Sequence, residues 1–310
     1  SKGLKVLKDR KKEFSLNVRM GINPIAWSND DLPVVGGEIP LEKCLREGKE
    51  AGFEGFELGW KFSRNAEELK KQLKPFNLDL VSGWYSSNLA IRSLKEEMPG
   101  FNKHLNLLKA LDCNVMVFAD TTGTVHGNPR VPISKRPTLN EKTWGPFCDK
   151  LSELAVYSKS QGMQIAYHHH TGTLIQDPAE VDQLMERCSD DVGLLLDTGH
   201  YTFMGGDPLE AVRKYGERIY HLHCKDVRQD VARDVLNKDL TFLKAVLKGV
   251  FTVPGDGCVQ FLEIFKELKK RNYSGWVVVE AEQDHTVAPP KFYVNKAGQY
   301  IQKTLIEAGF

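Results

Sequence analysis

Strand-like runs alternate with amphipathic helical stretches along almost the whole chain, and this alternation limits the fold more than any other feature. Eight short runs are rich in β-branched or apolar residues: Val18–Asn23, Gly55–Leu58, Leu78–Trp84, Val115–Ala119, Gln164–His168, Gly193–Asp197, Ile219–His223 and Trp276–Glu280. The stretches Leu41–Ala51, Ala66–Leu73, Phe101–Leu111, Trp144–Ser160, Pro178–Cys188, Pro208–Tyr215, Phe261–Arg271 and Tyr293–Ala308 read as helices. Asp177 and Asp207 each precede a proline, the pattern of an N-cap with proline in the first helical position. Gly52 and Gly162 supply C-terminal stops. Eight strand–helix units in 310 residues predict an α/β protein built as one closed (β/α)₈ TIM barrel. A doubly wound open sheet would carry a glycine fingerprint after its first strand, and Gly21-Ile22-Asn23-Pro24 is not one.

Residues 1–17 are rich in lysine and lack the apolar segment of a secretory signal, so we read them as an arm and 18–310 as a single catalytic barrel domain. The longest irregular stretch, Gly123–Lys142, is a candidate lid or oligomer arm over the barrel mouth. Forty-two basic and 41 acidic residues leave a formal charge of +1, which gives no electrostatic footprint for nucleic acid or an anionic membrane. No apolar run has the length of a membrane span. The six cysteines are scattered without a C-x-x-C pair, as expected of reduced thiols in a cytoplasmic protein. A homo-oligomer is compatible with all of this.

In such a barrel the reactive groups gather at the C-terminal ends of the strands. Read only there, the sequence gives Glu57, Asp120, His168-His169-His170, Asp197-Thr198-Gly199-His200, His221 and His223 followed by Lys225, and Glu280-Ala281-Glu282. Six of the nine histidines fall in this set. Strand alternation puts His168 and His170 on one face with His169 turned away, pairs His221 with His223 and Glu280 with Glu282, and turns Cys224 outward. Imidazoles and carboxylates converging at one mouth suit Mn²⁺, Co²⁺, Fe²⁺ or Zn²⁺ better than Mg²⁺. Trp27 and Trp84 are candidates to stack on an apolar ring face. Glu57 could hold substrate or brace a metal ligand, and Arg228 and Lys225 could bind hydroxyls or polarise a ketone. Asp256 fits a local glycine turn, and His126 and His285 read as surface residues.

At these positions the chain resembles the xylose-isomerase-like barrels, which include endonuclease IV-type AP endonucleases and ketose 3-epimerases. The motifs Gly55-Phe56-Glu57-Leu58, Asp197-Thr198-Gly199-His200, His221-Leu222-His223-Cys224-Lys225-Asp226, Pro254-Gly255-Asp256-Gly257 and Val278-Val279-Glu280 carry the resemblance, which extends from Met20 onward. Within that group Gly21-Ile22-Asn23-Pro24-Ile25-Ala26-Trp27, Ala166-Tyr167-His168-His169-His170-Thr171-Gly172-Thr173 and Val279-Glu280-Ala281-Glu282-Gln283-Asp284 look most like the inosose dehydratase family. The resemblance implies removal of water from 2-keto-myo-inositol with Mn²⁺ or Co²⁺, and glutathione as a further cofactor. By position it implies Asp197, His223 and Glu280 as metal ligands. The fourth ligand of the superfamily is usually a glutamate with a histidine two residues on, and here those positions are His168 and His170.

That substitution separates reactions. The epimerases use two metal-bound glutamates, one on each face of the substrate, and this chain keeps only Glu280. A β-elimination through an enediolate needs one base and one acid. Glu280 or a metal-bound water is the expected base, with Glu282 one pleat period beyond Glu280, and His200 or His170 the expected acid. The rival readings are a keto-sugar epimerase or isomerase, and a barrel that binds metal or polyol without turnover. A product assay separates them, because only dehydration yields a conjugated dione. The endonucleases use extra metal-binding histidines on earlier strands, and Leu78–Trp84 and Val115–Asp120 contain none.

Overall fold

A computed structural model describes residues 17–280 and 282–310; residues 1–16 of the expected arm and Ala281 of the last motif lie outside the described residues. Among the described residues nine strands form one parallel sheet. They are β1 (Val18–Ile22), β2 (Gly55–Phe56), β3 (Asp79–Leu80), β4 (Trp84–Ser87), β5 (Val115–Asp120), β6 (Gln164–His168), β7 (Gly193–Asp197), β8 (Ile219–Cys224) and, after an excursion, β11 (Gly275–Val279). The order β3-β2-β1-β11-β8-β7-β6-β5-β4 ends on two strands that adjoin in the chain. β3 and β4 are therefore halves of one barrel strand, and eight strands close the barrel.

The split has a local cause. The Val81 N–H donates to the Phe56 carbonyl and the Leu58 N–H to the Ser82 carbonyl, which continues the pairing with β2. On the other side the Ser82 hydroxyl donates to the Val115 carbonyl at 2.6 Å and accepts from the Val117 N–H at 3.2 Å. A side chain thus replaces the ladder for one step. Gly83 follows, where a Cβ would lie 2.5 Å from Leu58 Cδ1; only glycine lets the strand turn back toward β5.

Helices cover the outside. The expected caps are present at Asp177 and Asp207, each with proline at the first position. Gly52 and Gly162 adopt φ of 97° and 81°, the left-handed conformation of a helix stop. The third long helix runs over Leu94–Ala110, seven residues earlier than its apolar spacing suggests. Its start is a capping box, with Ser93 and Glu96 bonding each other's backbone N–H, and Pro99 lies within its first two turns. The main core lies between sheet and helices. Inside the barrel, Val117, Ala166 and Leu195 form a small apolar layer. Ala166 and Leu195 each precede by two residues a site residue, His168 and Asp197, so period-two alternation seats the polar groups on an apolar floor.

The sequence reading leaves residues 226–260 without elements. They form a lobe at the mouth: strands β9 (Asp226–Val227) and β10 (Phe251–Thr252) pair antiparallel, joined through helices Gln229–Asn237 and Phe242–Leu247. The lobe has its own core, which includes Val227, Val235, Phe242, Val246 and Phe251. The Gly123–Lys142 stretch is strapped to it. Ile133 N–H donates to the Leu240 carbonyl of the lobe, and on the other side Arg136 ties the stretch to the start of helix Pro178–Arg187, pairing with Asp177 and Glu180 at 2.9 and 2.7 Å. Among the described residues no helix is long and apolar enough to cross a membrane.

Candidate active site

The strand-end residues converge on three adjoining groups. His168, Asp197, His223 and Glu280 offer ligand atoms all within 4.8 Å of one another, and all four are buried. His168 Nε2 and His223 Nδ1 each lie 3.6 Å from Asp197 Oδ2, and His223 Nδ1 is 3.4 Å from Glu280 Oε2. A second group joins Glu57, His221 and His223, and a third joins His170, His200 and Glu282.

The first group fits a divalent ion. Asp197 Oδ2 and His223 Nδ1 are buried with no hydrogen-bond partner, which costs about 1–3 kcal/mol or more per group unless something else satisfies them. The spacings of 3.4–3.6 Å are close to the ~3.0–3.5 Å separating ligands that are each about 2.1 Å from one ion. His168 Nδ1 faces the His169 carbonyl at 2.5 Å. A carbonyl only accepts, so Nδ1 carries the proton and Nε2 presents its lone pair to the group.

The Asp-Thr-Gly-His motif after β7 assigns a task to each residue. Asp197 Oδ1 caps the short helix Thr198–Phe203 by accepting from the His200 N–H at 2.8 Å, leaving Oδ2 for the metal group. The Asp197 N–H donates to His169 Nε2 at 3.1 Å, so the outward histidine braces the aspartate from behind. Thr198 Oγ1 donates to the Lys225 carbonyl at 2.7 Å and accepts the Lys225 N–H at 3.0 Å, tying this turn to the end of β8. Gly199 leaves room for the lysine stem: a Cβ there would lie 2.5–2.7 Å from Lys225 Cγ, Cδ and Cβ. Gly199→Ala is therefore expected to cost about 1–3 kcal/mol of stability by overpacking, read as a lower midpoint in urea unfolding, and to displace the ammonium with loss of turnover. Unchanged stability and turnover would show that the lysine stem is not confined there.

Lys225 is fully buried and joins the first and third groups. Its Nζ lies 2.7 Å from Glu280 Oε1, 3.3 Å from Glu282 Oε1 and 3.6 Å from Asp197 Oδ2, over the Phe251 ring. Burial disfavours its charge, but Asp197, Glu280 and Glu282 outweigh that and raise it above the ordinary lysine value. Burial pushes Glu282 up to about 7, against the lowering by Lys225 and with added repulsion from Asp31 and Glu280. Burial first, then repulsion from His126 at His170 and from His170 and Lys225 at His200, lowers both rings well below the usual histidine range, so both are neutral.

Their tautomers differ. His170 Nδ1 faces the Thr171 carbonyl at 2.7 Å, so its Nε2 is a bare acceptor. His200 Nδ1 accepts the Thr171 N–H at 3.2 Å, so its Nε2 carries the proton. Both Nε2 atoms lie 3.9 Å from Glu282 Oε1. This changes the expected choice between the two histidines: only His200 presents an N–H to the pocket. Phe242 stacks on His200, with Phe251 beside it. Trp84 meets His168 and His170 edge-on at 5.2 and 5.6 Å.

Other expected residues lie elsewhere. Trp27 is buried against Phe56, with its N–H toward Glu47 at 3.4 Å, so it packs the loop after β1 and presents no open ring face. Arg228 is spent on the lobe, donating to the Gly249 and Phe251 carbonyls, Thr252 and Asp256. Glu57 faces His221 and His223. Asp120 accepts the Ala90 and Thr122 N–H groups and so ties its own loop to the one before helix Leu94–Ala110. His126 is a correction to the surface reading. It is largely buried, its ring tilted against His170 with ring centroids 4.7 Å apart, and 3.4 Å from Asp31. His285 is also tied down, 2.7 Å from Glu38.

A family model described as xylose isomerase-like TIM barrel matches residues 45–304. The chain is 44% identical over 295 residues to the rhizopine catabolism protein MocC of Rhizobium meliloti, covering 95% of this chain and 91% of that protein. It is 43% identical over 288 residues to inosose dehydratase 2 of Bacillus cereus, covering 92% of this chain and 97% of that protein. Among solved structures it is similar to the probable 3-DHS dehydratase AsbF of Bacillus anthracis, with a TM-score of 0.67 at 14% identity, covering 91% of this chain and 98% of that one; that likeness concerns the fold.

Proposed function

Because the chain belongs to the xylose isomerase-like TIM barrel family, and within it groups with the inosose dehydratases and MocC, we propose that it is a metal-dependent hydro-lyase that removes water from 2-keto-myo-inositol (scyllo-inosose) in inositol catabolism. One observation carries the mechanism: a single buried ammonium, Lys225, bridges the carboxylate of the metal group to the carboxylate of the His170–His200 group.

Dehydration of a hydroxyketone breaks the C–H bond beside the carbonyl and the C–O bond on the next carbon. The resulting enol becomes a 1,2-dione, and no electrons leave the substrate. A divalent ion in the first group, Mn²⁺ or Co²⁺ by the resemblance to the inosose dehydratases, would supply a Lewis acid for the ketone. His168, Asp197, His223 and Glu280 would hold it. Glu280 takes the α-proton, since Asp197 has one oxygen committed to its helix cap. The departing hydroxyl receives a hydrogen bond from His200 Nε2 and its proton from Glu282. His170 Nε2 accepts from a neighbouring hydroxyl, and Trp84 walls the apolar face of the ring. The proton count is then restored across Lys225, 2.7 Å from the Glu280 oxygen and 3.3 Å from that of Glu282. Glutathione rests on the resemblance alone. Six free thiols, five of them buried, support a cytoplasmic setting.

The test is to strip the protein with a chelator, add scyllo-inosose and follow the dione by absorbance. Activity should vanish and return with Mn²⁺ or Co²⁺. Full activity in rigorously metal-free protein, or an epimer as the only product, would overturn the reading.

A further inference from the structure

We infer that Glu57 is a positioning residue that decides which nitrogen of His223 faces the ion: it holds the proton of the ring on Nε2 and so turns Nδ1 into the metal group. The inference rests on the metal reading above and adds a role for a side chain that touches neither ion nor substrate.

The geometry is a fork. Glu57 follows β2, is 2% exposed, and reaches across the barrel to two histidines two residues apart on one face of β8. Its Oε2 lies 2.9 Å from His221 Nε2, and its Oε1 lies 2.8 Å from His223 Nε2. Oε1 also accepts from Asn23 Nδ2 at 3.2 Å. Asn23 is fixed in turn, because its Oδ1 accepts the Ile25 N–H at 2.9 Å.

A carboxylate at these distances can only accept, and a bare ring nitrogen there would set one lone pair against another. Both Nε2 atoms therefore carry hydrogen, in line with Glu57 Oε2 at His221 and off line from Oε1 at His223. That leaves Nδ1 of His223 as its lone pair, 3.4 Å from Glu280 Oε2 and 3.6 Å from Asp197 Oδ2. His168 is arranged the opposite way, with Nδ1 given to the His169 carbonyl and Nε2 to the ion. The two histidines thus present different nitrogens, each fixed by a separate acceptor. Such partners typically change metal affinity about 10–100-fold when removed.

The experiment uses the full-length protein and Zn²⁺ as a diamagnetic probe. Two-bond ¹H–¹⁵N spectra of ¹⁵N-histidine-labelled protein report which ring nitrogen binds. We expect Nδ1 for His223 and Nε2 for His168. Titration with Mn²⁺ should give a Kd about 10–100-fold weaker in Glu57→Gln, because the amide accepts at only one oxygen and donates where the second oxygen stood. Glu57→Asp, which keeps the charge but shortens the reach, should fall between parent and Glu57→Gln. Circular dichroism checks that each variant is folded. If Zn²⁺ binds His223 through Nε2, the ion sits in the Glu57–His221–His223 group and the inference is overturned while the metal reading stands. A Glu57→Gln Kd within about threefold of the parent, well short of the range for losing such a partner, also overturns it. Absence of Zn²⁺ at both His168 and His223 in the parent overturns both.

Discussion

Glu280→Gln is expected to lower dehydration by about two to four powers of ten and to weaken the ion in the same variant. Glu280 supplies one oxygen to the metal group, 3.4 Å from His223 Nδ1, and the other to Lys225 at 2.7 Å. A glutamine keeps the volume but cannot take the α-proton, and its amide is a poorer ligand. Glu282→Gln gives a different signature. Strand alternation sets Glu282 one period beyond Glu280 on the same face, and the structure gives it its own place between His170, His200 and Lys225. Turnover should fall on the same scale while the Mn²⁺ Kd stays near that of the parent, because Glu282 is not among the four metal-group side chains. Steady-state kinetics beside an EPR titration of Mn²⁺ separates the two effects. A Glu282→Gln enzyme that turns over like the parent removes Glu282 from the chemistry; an unchanged Kd in Glu280→Gln removes Glu280 from the metal group.

What could be read from the sequence follows from periodicity. Period two along β6, β8 and the residues after β11 fixes which of His168–His170, His221–Lys225 and Glu280–Glu282 face inward, and the structure brings those inward residues together. Period 3.6 with proline and glycine punctuation locates most helices. The failures have physical causes too. Gly83 breaks the third strand because the Leu58 side chain fills the space of its Cβ, a long-range contact that no local window contains. Pro99 hides the first turns of Leu94–Ala110, although it removes only one interior hydrogen bond; the Ser93/Glu96 capping box was the available signal. The lobe over 226–260 alternates on too short a scale to stand out, and its Phe242 and Phe251 reach His200 only through tertiary packing. His126 is set in a loop stretch, and nothing near it in sequence reveals that it folds onto His170. Trp27 and Arg228 show the converse, since residue type suggested a ligand contact and local packing took the side chain.

His168→Glu restores the carboxylate that the ketose epimerases carry, and it should shift the balance of chemistry without emptying the site. His168 is neutral here, because burial and the nearby His223 lower it well below the histidine range. A glutamate would place a fourth carboxylate beside Asp197, Glu280 and Glu282, with Lys225 the one ammonium among them. The added charge favours a hard divalent ion, so Mn²⁺ binding should persist, but it weakens that ion as a Lewis acid and disfavours expulsion of hydroxide. Two carboxylates on the metal group could then each exchange a proton with the substrate carbon. The new side chain also lacks the N–H that His168 gives to the His169 carbonyl, so its position is less constrained. Dehydration should slow at least ~10-fold, within the range for loss of a tuned proton-transfer environment, while exchange of the α-proton with solvent deuterium rises relative to dehydration. Exchange is followed by NMR and dione formation by absorbance in the same sample. If the variant dehydrates as fast as the parent, the imidazole at 168 does not set the outcome, and the preference for elimination must lie in the His170–His200–Glu282 group instead.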